Sequence, residues 1–421
     1  MRRPRRGTQN GAAGSTASFR CRMRPLPVVH VAWLGKKSPF CGNVTYGLST
    51  TAALRERAHR VSFIHFDTPT APLSRQEATP PFPSWDPTGE HREVTLPYLV
   101  KSQVYTIPSP GAQRELRESL EQLRPDLVHA SLTLSPLDFR LPDLCQQLGL
   151  PLVATFHPAF DAGLRNLAAG TQQLTYQLYA PSLARFDRVI VFSDLQAELL
   201  ERLGVRRERL AVIPNGVDPS LWCPPPAGPA AELEALRRQF SGRRVFLYMG
   251  RVSTEKNVEA LLRAWRLVRP EGCVLVVVGD GPLLSSLQNG GENDVLWWGY
   301  EASLQRRIAL LQLAEVFLLP SLVEGLSLAL LEAMASGTAC VATDAGADGE
   351  VLEGGAGIVI RTQGVTTQLR TLLPVLRDQP VLTAELGRRA RERVLERYTL
   401  TRNIDALERL YQGLIRTPLA A

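Results

Sequence analysis

The run Ala314 to Leu352 (AEVFLLPSLVEGLSLALLEAMASGTACVATDAGADGEVL) carries two acids, Glu324 and Glu332, eight residues apart. A buried-strand pattern ends at Pro320 and Ser321, and a helical pattern resumes just after Glu324 and Gly325. One acid then lies at the mouth of a helix and the other about two turns inside it. Backbone N–H groups of Gly325, Leu326 and Ser327 at such a turn are ready donors for a phosphate or sugar oxygen. For either acid alone, a helix-capping residue and a solvated-face residue are the plainer readings. Other chemistry-bearing runs accompany them: GRVSTEK, with Gly250, Arg251, Glu255 and Lys256; VVVGDGP, with Gly279, Asp280, Gly281 and Pro282; and PNGVD, Pro214 to Asp218. His157 stands in TFHPAF, and GKKSPFCGN spans Gly35 to Asn43.

Each of these runs follows a short apolar, β-branched stretch, the pattern of parallel strands buried on both faces. In the first half such stretches are Val28 to Trp33, Val61 to Phe66, Asp126 to His129, Leu152 to Phe156, Arg188 to Phe192 and Leu210 to Ile213. In the second they are Val245 to Gly250, Val274 to Gly279, Val295 to Trp298, Val316 to Leu319, Ala339 to Thr343 and Gly357 to Ile360. Alternation with helical patterns predicts an α/β protein of two Rossmann-like, doubly wound parallel sheets, whose ligands bind at the carboxyl ends of the strands. Proline-rich 221–244 reads as the connection. The expected division is 25–220, the linker 221–244, a second domain 245–395, and a closing helix in 396–421 that can pack back across the first domain. Segment 68–110 is proline-dense and holds Phe82, Trp85, Tyr98 and Tyr105 without clear elements, so it reads as a functional loop or an insertion.

The order and spacing of E-x7-E, GRxxxEK and PNGVD resemble the family 4 glycosyltransferases, which have the GT-B fold of two Rossmann-like domains around an interdomain cleft, and the likeness covers nearly all of 26–416. The resemblance implies a retaining transferase with a nucleotide-sugar donor. It makes Arg251 and Lys256 the basic pair on the nucleotide diphosphate, where they would offset charge growing on the leaving group. It makes Glu332 the acceptor of ribose hydrogen bonds, Glu324 the acid beside the donor sugar, and Gly325, Leu326 and Ser327 donor-binding. His157 matches a family histidine between donor and acceptor, so the catalytic set is Glu324, His157, Arg251 and Lys256. In the first glycine-rich loop only Gly42 corresponds clearly. The family usually shows a glycine pair in this loop; Lys36 and Lys37 are additions that could meet a phosphate, a lipid head group or only solvent, and neither is read as catalytic. No D-x-D motif occurs, and the resemblance implies no cofactor and no metal.

Composition bounds the partners. The net charge of +7 arises from seven arginines in 1–24, before the first acidic residue, Glu56, leaving a body with 41 basic and 41 acidic residues. Nothing in that balance calls for nucleic acid. The segment 1–24 lacks a core of its own and reads as a disordered tail, an over-called start or a transit-like segment. No apolar stretch of about 18 residues occurs, and the six scattered cysteines form no C-x-x-C pair, which suits a cytoplasmic protein whose membrane contact is peripheral.

The runs GKKSPFCGNVTYGLST, SLTLSPLDFRLP and that beginning TFHPAF are similar to cyanobacterial digalactosyldiacylglycerol synthases. This subgroup implies transfer of a hexose, galactose, from a UDP-sugar to a membrane glycolipid such as monogalactosyldiacylglycerol. A soluble or polysaccharide-precursor acceptor, a nucleotide-sugar epimerase of the same fold and a non-catalytic sugar-nucleotide sensor remain open on the sequence. Phe82, Trp85, Tyr98, Leu99, Val100 and Lys101, with the loop Phe160 to Arg165, are the expected membrane-facing groups.

Overall fold

The computed structural model describes residues 27–37, 41–67, 92–102, 105–132, 134–160, 167–226, 230–240, 242–288 and 293–416. The tail, most of 68–110 including Phe82 and Trp85, and 161–166 therefore lie outside the described residues.

The first sheet contains β1 (His30–Gly35), β2 (Arg60–Phe66), β3 (Glu93–Leu96), β6 (Leu127–Ser131), β7 (Leu152–Thr155), β8 (Arg188–Val191) and β9 (Leu210–Val212), in the order β3-β2-β1-β6-β7-β8-β9. The strands β4 (Tyr98–Lys101) and β5 (Thr106–Pro108) form a separate antiparallel hairpin. In the second sheet are β10 (Arg244–Met249), β11 (Cys273–Val278), β12 (Val295–Gly299), β13 (Val316–Leu319), β14 (Ala339–Thr343) and β15 (Ile358–Ile360), ordered β12-β11-β10-β13-β14-β15. Every ladder in both sheets is parallel. The strand orders reverse between β1 and β6 and between β10 and β13, and at such points two neighbouring loops diverge and leave a crevice above the strand ends.

Apolar runs such as CVLVVV in β11 and VFLL in β13 are buried at every position because helices cover both faces. The edge strand β3, EVTL, buries only Leu96, and its polar alternation with Pro97 behind it explains why no strand pattern stands out there. Segment 68–110 thus ends in an edge strand and a hairpin instead of an irregular loop.

The stretch 221–244 also differs from a bare linker. Ala231–Phe240 is a helix that buries Leu233, Leu236 and Phe240 in the core cluster shared with the second sheet. Those three positions recur at helical spacing, a signal the preceding prolines mask.

The chain crosses between the domains a second time after helix Pro380–Arg397. Here the two crossings touch: the Val217 N–H donates to Tyr398 O (3.0 Å) and the Leu400 N–H to Val217 O (2.8 Å). Helix Leu400–Arg416 then lies on the first domain, where Arg57 donates to Asp405 (2.6 Å) and Glu408 (2.8 Å). A side chain at Gly216 would put its Cβ 2.6 Å from the backbone oxygen of Thr399. Backbone cannot yield as a side chain can, so Gly216→Ala should destabilise the protein by about 1–3 kcal/mol, read as a lower urea midpoint. An unchanged midpoint would show that the two crossings separate freely.

Candidate active site

The second-domain half of the site is built where three strands end. Beyond the last ladder pairs, the Gly250 N–H donates to Val278 O (2.9 Å), Val252 N–H to Asp280 O (2.9 Å) and Gly279 N–H to Gly299 O (2.7 Å). Gly279 has φ 136°, and a Cβ there would overlap the Gly250 carbonyl, so only glycine lets these loops close together. Tyr248, wholly buried, donates its hydroxyl to Arg251 O (2.6 Å) and fixes the loop from below. The short helical turn Thr254–Lys256 follows, tied to the end of β13 by Leu322 N–H to Glu255 O (2.8 Å) and Asn257 Nδ2 to Pro320 O (3.1 Å).

This lacing brings the basic pair against the acids. Arg251 is ion-paired with Glu255, and Lys256 with Glu324. The Glu324 carboxylate, 7% exposed, also accepts from Ser321 Oγ (2.8 Å). Its carbonyl accepts the first-domain Phe160 N–H (2.8 Å), so Phe160 is buried in the interdomain contact and not displayed at a surface. Close behind it, a Cβ on Gly325 would come 3.2 Å from the His157 carbonyl. His157, half-buried, therefore faces the Glu324 loop from the other domain.

The helix after Glu324 begins at Leu328, three residues beyond Gly325, with the Ser327 hydroxyl capping Leu330 N–H (3.3 Å). Ser327's own N–H donates to Asp348 Oδ1 (2.9 Å), so that amide is engaged within the protein and not held ready for a donor. Glu332 lies little more than one turn inside this helix, buried at 8% exposure. Leu326 is held by Asn215 of PNGVD, whose Nδ2 donates to Leu326 O (2.9 Å). Asp348 escapes the motif reading, and Asn215 enters it only as part of PNGVD with no role assigned, although both follow strands in the same rhythm as the other site residues.

On the first domain, Gly42 opens helix Gly42–Glu56, and a Cβ added there meets nothing within 4 Å. Asn43, next along, donates Nδ2 to Leu132 O (3.0 Å), which turns its Oδ1 toward Ser131. Ser131 gives its hydroxyl hydrogen to that Oδ1 (2.7 Å) and so accepts at 2.8 Å from His157 Nε2. The neutral His157 ring then carries its proton on Nε2 and leaves Nδ1 as an acceptor. Lys37 is paired with Glu93 (2.5 Å), while Lys36 is only 5% exposed and contacts Ser102 O (3.4 Å), so neither merely faces solvent.

Comparison with known proteins gives the arrangement a family. Residues 243–378 match the model described as glycosyl transferases group 1, and 42–221 that described as glycosyltransferase family 4. A lipopolysaccharide core biosynthesis mannosyltransferase, LpcC, of Rhizobium leguminosarum bv. viciae is 30% identical over 60% of this chain and 72% of its own length. The chain is a family 4 glycosyltransferase. An α-monoglucosyldiacylglycerol synthase of Streptococcus pneumoniae is 28% identical over 53% of this chain, which spans about half of that relative. The crystal structure of Anabaena HepE in complex with UDP and glucose shares the fold, with a TM-score of 0.70 at 19% identity over 92% of this chain and all of that one.

Three titratable groups set the electrostatics of this glycosyltransferase. Burial, with Lys36 nearby, pushes His157 down to about 3, so its ring is neutral at working pH. Burial and the Glu324 charge raise Asp348 well above the usual carboxylate range. Burial lifts Glu332 to about 7, with Arg307 pulling the other way.

A folded pKa above the ordinary 4.5 of Glu332 means that the uncharged acid favours the fold. Its contribution is complete below the unfolded value and is lost as pH rises through about 7. Glu332→Gln, uncharged throughout, should therefore gain stability relative to wild type between about pH 5 and 8, by on the order of 2–3 kcal/mol. Parallel unfolding curves for the two proteins across that range would contradict the burial argument.

Proposed function

We propose that this chain is a retaining hexosyltransferase that moves galactose from a UDP-sugar to a membrane glycolipid such as monogalactosyldiacylglycerol. The observation that carries the reading is the meeting of Lys256–Glu324 with the His157 loop across the domain contact. A donor diphosphate beside Arg251 and Lys256 would gain charge stabilisation as the sugar–oxygen bond breaks. Both cations already have carboxylate partners, so the phosphate takes over ion pairs that exist instead of desolvating free charges. Glu332 accepts from the ribose hydroxyls, and Glu324 and the Leu326 turn border the sugar. The acceptor hydroxyl attacks the anomeric carbon on the face the phosphate leaves, and its proton passes to the departing phosphate oxygen. His157, neutral and with Nδ1 open to accept, orients a hydroxyl and does not act as an acid.

The donor class is supported by the UDP and glucose bound to Anabaena HepE, and the acceptor class by the diacylglycerol glycolipid in the name of the streptococcal relative. No helix among the described residues is long and apolar enough to cross a membrane. The β4–β5 hairpin instead exposes Leu99 (65%), Val100, Tyr105 and Ile107, with Lys101 beside them, a mixture suited to an interface. The acceptor thus reaches a peripheral, cytoplasmic enzyme from the bilayer surface.

Purified protein incubated with radiolabelled nucleotide sugars and total membrane lipid should label a galactolipid from UDP-galactose, with or without EDTA. Arg251→Ala or Lys256→Ala should reduce turnover by roughly 10²–10³-fold. Wild-type rates in either variant would remove these residues from the donor site, and loss of transfer on chelation with recovery in magnesium would overturn the metal-free reading.

Replacing Leu99 and Val100 by aspartate should reduce both vesicle co-sedimentation and transfer to lipid. Full transfer to a soluble galactoside, with no vesicle binding by the wild type, would move the acceptor into solution.

A further inference from the structure

Helix Leu400–Arg416 belongs by sequence to the end of the chain and by packing to the first domain. Ile404, Leu407 and Tyr411, at helical spacing, are its wholly buried residues. The Tyr411 hydroxyl reaches His129 Nδ1 on β6 (2.5 Å), a partner 282 residues away in sequence. The His129 ring packs against Trp33, tilted by 36° with 4.2 Å between centroids, and its Nε2 lies 2.7 Å from Thr155 Oγ1 on β7. Thr155 Oγ1 is in turn 3.3 Å from the Tyr46 hydroxyl, and the Tyr46 ring stands edge-on to His157 at 5.0 Å and 70°.

Tyr411, His129, Thr155 and Tyr46 are all buried, so water cannot stand in for a missing link. Burial drives His129 down to about 3, and the neutral ring has one N–H to donate and one nitrogen to accept with. Both nitrogens are used, one on Tyr411 and one on Thr155, which fixes the ring plane. Ser131, two residues beyond His129 and on the same face of β6, holds His157 Nε2 directly and is the register partner of Thr155. His157 is therefore held by the Ser131 hydroxyl, itself fixed by Asn43, and by the Tyr46 and Phe192 rings, and it is the Tyr46 contact that leads back through Thr155 to His129.

We propose that Tyr411 is a positioning residue for the cleft: through His129, Thr155 and Tyr46 it fixes the orientation of the His157 ring, making the closing helix part of a site it does not touch. This rests on the reading of the cleft as a sugar-transfer site. The chain carries no proton in the reaction; its effect is to hold Nδ1 of His157 where an acceptor hydroxyl arrives.

The test is a double-mutant cycle with steady-state transfer from UDP-galactose, read beside the imidazole nitrogen resonances of ¹⁵N-histidine-labelled protein. Tyr411→Phe should lower kcat roughly three- to tenfold with KM for donor and acceptor held within about twofold, and should cost nothing further in a His157→Ala background. In the spectra, the same variant should move or broaden the His157 nitrogen signals, while Asp405→Asn, which loosens the same helix at its ion pair with Arg57, should leave them and kcat unchanged. A Tyr411→Phe loss of equal size with and without His157 would overturn the proposal, as would unshifted His157 resonances. Absence of transfer in the wild type would count against the transferase reading alone, because the resonances still decide whether Tyr411 sets the ring.

Discussion

Glu324 serves both domains at once. Its carboxylate holds Lys256 of the second domain, and its carbonyl takes the Phe160 N–H of the first. Burying that carboxylate is favourable only while its cationic partner and the Ser321 hydroxyl are present, since an unpaired charge there would be strongly destabilising. The same loop is squeezed by Gly346, where a side chain would overlap the Glu324 carbonyl, and by the Ala347 N–H bond to Gly325 O (2.8 Å). Glu324 therefore cannot drift without disturbing the domain contact. A phosphate that draws Lys256 away would leave a buried carboxylate beside Asp348, and a donor sugar hydroxyl is the group able to compensate it. On the proposed donor reading, ligand chemistry and domain apposition would be coupled through this one residue.

The crossings between domains supply the second constraint. Val217 and Tyr398–Leu400 exchange backbone hydrogen bonds, and Gly216 is pressed against Thr399. Any relative movement of the sheets must turn about this pair of strands of chain, close to Asn215, which holds the Leu326 carbonyl. The PNGVD run is consequently a structural joint that also touches the Leu326 loop.

How much of this was legible in the sequence follows from the physics of each element. Strands buried on both faces are written as unbroken apolar runs, so both sheets could be read. The edge strand β3 has one buried residue and little to announce it. Helix Ala231–Phe240 is masked by the prolines before it, and the helix after Glu324 starts two residues later than Gly325 suggests, because Ser327 caps it. Motif spacing brought Arg251, Lys256, Glu324 and Glu332 to notice. It said nothing of Asp348, whose relation to Ser327 and Glu324 depends on how two loops fold over one another. Long-range pairs such as Tyr411 and His129 leave no local pattern at all.

That last class explains a division of labour between the domains. On the second domain the chemistry is charge, and it is set by backbone: loops so tight that glycine is required hold Arg251 and Lys256 at strand ends. The first domain presents a neutral histidine, set by buried side chains, because an imidazole held near a pKa of 3 has no charge to be steered by and must be aimed by contacts. Lys36 lowers His157 further by its nearby positive charge. Burial chiefly, with the Lys36 charge adding to it, keeps the His157 ring neutral and so leaves Nδ1 as an acceptor. An acceptor hydroxyl whose proton leaves for the phosphate needs orientation and not a competing base. On the proposed reading, a histidine too weakly basic to take that proton would meet the need, with the buried hydroxyls beneath it holding its orientation.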